Sequence, residues 1–237
     1  MFKRIPTLCL TLFLLAGCTV STEAAFLKEV PLNTSTQEIS VPGEVITAMF
    51  ELTNEITPDY FKASKKANQI FSPLSLWYAL GVLREGASGA SLTELNQMMK
   101  LSASFDATTV IPILSKTLNF MEASKIAKDG TKNGIRLTNG IFFDQKYRKN
   151  INDSFLEKAA TVWGTETAQV DFTKKVETQR LIKDWVSQKT DAFIPDYEAN
   201  FLDDGTAIMN IYNVLYLKDQ WGRPFIKQSD QIFHSPK

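Results

Sequence analysis

A single histidine, His234, and two cysteines stand among 237 residues. One imidazole leaves no histidine cluster for a metal, no histidine relay, and little scope for a triad built on that base. Neither HExxH, GxSxG nor CxxC occurs, and no serine is followed three residues on by a lysine. The 26 Lys+Arg are balanced by 26 Asp+Glu, so no basic field draws in a nucleic acid. Gly86-Ala-Ser-Gly89 is too short to cradle a phosphate, and Asp203-Asp204-Gly205 has the composition of a turn. The residues therefore predict no enzyme, no metal and no cofactor.

What is present begins with MFKRIPTLCLTLFLLAGC over residues 1–18. Lys3 and Arg4 precede an apolar run too short for a bilayer core, which takes about 20 helical residues. A cleaved signal segment over 1–17 is the expectation. Leu15-Ala16-Gly17-Cys18 resembles the bacterial lipobox, which implies that Cys18 becomes the first mature residue and carries acyl chains. Two or three such chains hold a protein stably on a membrane where one does not. The expected location is a bacterial cell envelope, outside the cytoplasm. Cys9 would leave with the signal segment, so no disulfide is expected. Residues 18–44, rich in Ser, Thr, Glu and Pro, are expected to be a flexible tether.

From 45 to 237 the pattern is that of one α+β domain, with helices early and long strands later. Ile46, Met49, Phe50 and Thr53 mark a helix that Pro58 should stop. Ile70-Phe71 suits a short strand running into Pro73, which suits the first turn of a helix that is apolar nearly all round and ends at Gly86. Ser91-Leu-Thr-Glu94 has the form of a capping box, and Asp106 can cap a further helix. After the polar cluster 128–134 the period becomes two, and Ile135, Leu137, Asn139, Ile141 and Phe143 share one strand face. Further segments follow: a helix from Ser154 to Trp163, a strand over 165–172, a helix over 175–190, and the nearly continuous apolar run Ala207–Lys218. That last run is expected to be covered on both faces. Asn213 lies within it, where an unpaired amide would cost ~1–3 kcal/mol. Ser72 and Ser75 flank Pro73, and a hydrogen-bonded Asn–Ser cluster beneath the sheet would satisfy all three side chains.

These segments resemble the serpin family. Asn68-Gln-Ile-Phe-Ser-Pro-Leu-Ser75 resembles the passage from strand 6B to helix B, and Leu80–Gly89 followed by Thr93-Glu94 resembles the corner between helices B and C. Asn139-Gly-Ile-Phe-Phe143 resembles strand 2A. Trp185–Pro195 resembles the end of helix F, and Asn213–Trp221 with Pro224-Phe225 resembles strand 3A and the breach. The matches run in family order from about residue 45 onward. The resemblance implies a metastable serpin-like fold around a large sheet A, whose reactive-centre loop is cut by a serine or cysteine protease and inserts as a new strand. It makes Ser72, Ser75 and Asn213 shutter residues and Trp221 a breach residue, none of them catalytic.

The sequence is expected to represent the N-terminal portion of such a domain, ending before the reactive-centre loop. Expected partners are a target protease for a complete chain, the membrane through the N-terminal lipid, and other chains through an exposed sheet edge. The alternative is a non-inhibitory truncated remnant, or a lipid-anchored binding or structural module.

Overall fold

The computed structural model describes residues 25–30, 40–63, 68–124, 134–219 and positions 221, 223 and 226. The signal segment, Cys18, residues 128–133 and His234 lie outside them. The described elements are β1 (Ala25–Lys28), α1 (Gly43–Ala63), α2 (Pro73–Glu85), α3 (Gly89–Met98), α4 (Ala107–Ser124) and β2 (Gly134–Asp144). A 3-10 helix (Gln145–Asn150), α5 (Asp153–Trp163), β3 (Thr165–Val170), α6 (Lys175–Lys189) and β4 (Met209–Lys218) complete the order. The class is α+β, as expected.

Local chemistry sets several boundaries. Asp106 accepts from the Thr108 amide and from both the Thr108 and Thr109 hydroxyls, opening α4. Asn152 Oδ1 accepts from the Ser154 amide at 2.9 Å to open α5, and Gly164 closes it in the left-handed region at φ 59°. The four strands lie in the order β1-β3-β2-β4. β2 and β3 are parallel and are joined through α5, the crossover such a pair requires. β2 and β4 are antiparallel from Gly134↔Lys218 to Phe143↔Met209. Ile141 and Phe143 face a core built with α2, α4 and α5, while Phe142, Ala168 and Val170 face α6.

Several expectations need correction. The stretch expected to be tether contains β1, hydrogen-bonded to the edge of β3, with Phe26 edge-on to Phe142 at 5.9 Å. α1 runs through Pro58, because Tyr60 beyond it stacks on Phe71 at 4.5 Å and donates to the Ile70 carbonyl. Its buried side is Val45, Ala48 and Leu52, whereas Ile46 and Phe50 are exposed. Residues 70–71 are not a strand. Ser91 lies inside α3 rather than capping it; Ser88 holds the cap position without a side-chain bond. α4 starts at Ala107, directly after the Asp106 cap, and holds Pro112 within it. Gly86 ends α2 in the right-handed region, not at positive φ. β4 is covered on both faces only around Val214, with Leu217 65% exposed, and among the described residues no strand pairs with its outer edge.

Candidate functional site

The centre of the sheet is a polar junction. Asn139 of β2 and Asn213 of β4 are register partners, and both side chains point toward the α2 side. Asn213 Nδ2 donates to Asn139 Oδ1 at 2.8 Å. Asn139 is fully buried, yet among the described residues its Nδ2 and the Oδ1 of Asn213 have no hydrogen-bond partner. Each such group left unpaired costs about 1–3 kcal/mol, so the junction offers one donor and one acceptor to any polar group brought against it.

Of the residues singled out from sequence, Asn213 thus finds Asn139 rather than the serines. Ser72 instead caps α2, its Oγ accepting from the Ser75 amide at 3.2 Å. The cap needs an acceptor where Pro73 begins the helix, and that local bond uses the Ser72 oxygen. Ser72 and Ser75 are both half-buried at the start of the helix that packs beneath β4. Trp221 stands three residues beyond β4 with 73% of its surface exposed. Cys18 lies outside the described residues. The sequence pattern places Asn139 on a strand face but does not pair it with Asn213. The signal that could have found it is that Asn139 and Asn213 are the asparagines of β2 and β4 that lie on the α2-facing side of these paired apolar strands.

A second polar device joins the opposite face to α6. Glu166 of β3 is buried at 2% exposure and accepts from Trp185 Nε1 and Lys189 Nζ, both at 2.7 Å. Its Oε1 also accepts from the Val30 amide at 3.3 Å. Trp185 lies over Gly140, where a Cβ would stand 2.9 Å from its ring. Sequence reasoning missed Glu166 as well, although a carboxylate facing inward on the short strand TETAQV needs a cation.

Burial pushes the Tyr78 hydroxyl up to about 12, with the Ser115 hydroxyl pulling it the other way. Burial likewise raises Tyr212 to about 12, offset in part by Asn210. Asp106 and Asp171 are held below the usual carboxylate range, first by the hydroxyls of Thr108 and Thr173 that they receive. Among the described residues no three of His, Cys, Asp and Glu group as a metal site. Among them, too, no helix is long and apolar enough to cross a membrane.

A mixed fold with a helix beneath a polar-centred sheet and another helix over its far face defines a class. The family model for serpins, serine protease inhibitors, matches residues 48–237, and the chain belongs to that family. It is 27% identical to leukocyte elastase inhibitor A of Rattus norvegicus over 70% of this chain and 42% of that protein. It is 25% identical to rat neuroserpin over 72% of this chain and 40% of that protein. Among solved structures, the Arabidopsis serpin AtSerpin1 in its native stressed conformation matches with a TM-score of 0.65. That match covers 77% of this chain and 45% of AtSerpin1 at 21% identity. The thermophilic serpin tengpin in its native state matches at 0.60 and 19% identity, covering 85% of this chain and 48% of tengpin. The two structures bear on the fold alone. The chain spans less than half the length of these relatives.

Proposed function

We propose that this chain is the N-terminal portion of a lipid-anchored serpin-type inhibitor of a serine or cysteine protease, held on a bacterial cell envelope through Cys18. The observation that carries the reading is the outer edge of β4. Among the described residues no strand pairs with that edge of the largely apolar, ten-residue β4, which lies beside an Asn139–Asn213 junction with a donor and an acceptor unmet by them. An edge of that kind accepts a further strand by main-chain hydrogen bonding. That is the operation by which a serpin traps its protease. In this reading Ser72, Ser75 and Asn213 act at the shutter, and Trp221 at the breach where insertion starts. The membership of relatives named as elastase inhibitors supports the inhibitory class.

The test is an adduct assay on the protein recovered from the membrane fraction of its source cells, against serine and cysteine proteases in turn. A band resistant to SDS with one class supports the reading and names that class. Simple cleavage by both classes, with no adduct, contradicts it and favours a non-inhibitory module. Radiolabelled palmitate in the wild-type chain and not in Cys18→Ala is the expected result for the anchor, and label retained in Cys18→Ala contradicts it.

A further inference from the structure

Seven residues carry the chain from Cys18 to Ala25. An extended chain covers at most about 3.3–3.6 Å per residue, so those seven span no more than ~25 Å. From Ala25 to Val30 the chain is held. Ala25 and Phe26 pair with Gln169 and Ala168, Phe26 packs edge-on against Phe142, and Lys28 Nζ meets Glu157 at 2.6 Å. The Val30 amide then donates to the buried Glu166. A tether free as far as α1 would have several times that reach and would leave the domain's orientation unconstrained.

Register decides which end of the sheet the anchor approaches. Ala25 lies opposite Gln169, and Gln169 lies opposite Phe143. Because β1 is antiparallel to β3, its Ala25 end lies at the Asp144 and 3-10 helix end of the sheet, not at the Gly134 and Lys218 end. The eleven residues of β2 separate those two ends by roughly 35 Å. We propose that β1 orients the anchored chain on the membrane: the 3-10 helix end of the sheet faces the lipid, and the Lys218–Trp221 end points into the aqueous space. This rests on the lipid attachment at Cys18 proposed above. At the facing end Lys149 is exposed, while Arg148 is paired with Asp153 and Lys146 with the Gly205 carbonyl beside Asp144, so the leash from β1 rather than a basic patch sets the orientation. The outward end then leaves the open edge of β4 and the exposed Trp221 within reach of a soluble protein.

The experiment uses the full chain, acylated in cells supplied with labelled palmitate and reconstituted into vesicles bearing an acceptor dye on their headgroups. With Cys9 removed and Cys18 acylated, Lys149→Cys or Leu217→Cys supplies the one thiol for a donor dye; both positions are exposed. The expected result is palmitate in both variants and donor quenching several-fold stronger at position 149 than at 217. A long glycine–serine insertion between Ala24 and Ala25 should bring the two values together, and Phe26→Ala, which loosens β1, should narrow their gap. Palmitate present with equal quenching, or with stronger quenching at 217, overturns the orientation and leaves the anchor standing. Absence of palmitate overturns the anchor and the orientation with it.

Discussion

On the α2 side of the sheet, Trp77, Tyr78 and Trp163 interlock with ring centroids 5.4–6.0 Å apart, and Trp163 sits where a Cβ on Gly81 would come within 2.0 Å of its ring. On the α6 side the core is smaller; Ile182, Trp185 and Val186 are buried in it, and one buried carboxylate adds bonds to Trp185 and Lys189. Close-packed surfaces separate only by creating a void, and the smaller packed face under α6 leaves a larger share of its hold to directional bonds that can exchange with water. The difference teaches which side is frame and which is cover.

The contrast can be broken most forcefully at Trp163. Trp163→Ala should lower unfolding free energy by about 3–5 kcal/mol in a urea titration, with the whole molecule affected. High pH sharpens the comparison through two tyrosines on opposite faces. Tyr78 has its pKa raised by burial from 10.0 to about 12, so its neutral form favours folding fully below pH 10, and that advantage disappears as pH rises through 12. The loss should reach about 2–3 kcal/mol and should vanish in Tyr78→Phe. Tyr212, raised to about 12 as well but far more exposed to solvent, should contribute a much smaller part of the alkaline loss, measured in Tyr212→Phe. Glu166→Ala should cost about 1.5–3 kcal/mol and accelerate amide exchange in α6 while leaving α2 near its wild-type rates. The smallest effect lies at the centre: a double-mutant cycle should find about 0.5–1.5 kcal/mol of coupling between Asn139 and Asn213. Asn213 and Ser75 should add independently in the chain as described.

Much of this was legible in sequence, and the failures share physical causes. The period-two run from Ile135 to Phe143 and the Asn152–Gly164 helix are bounded by their own chemistry, so their limits needed no tertiary information. The serpin resemblance was carried by short motifs in family order, and the family match runs over almost the same residues. α1 was assigned the wrong face because Ile46 and Phe50 are as apolar as Val45 and Leu52; only the position of α2 beneath decides which pair is buried. β1 was missed because four residues cannot establish an alternation, and their strand character comes from the β3 edge they meet. At the site, Asn213 was visible as an anomaly in an apolar strand, but its partner depended on the β2–β4 register. Glu166 escaped because its cation, Lys189, comes from a helix 23 residues away.

Native-state hydrogen exchange, followed as denaturant is raised below the unfolding transition, tests the division into frame and cover most directly. The account predicts that α6 amides exchange through a local opening of lower free energy than the α2 amides, and that Glu166→Ala widens this gap. Identical opening free energies for α6 and α2 in the wild-type chain, unchanged by Glu166→Ala, would contradict it.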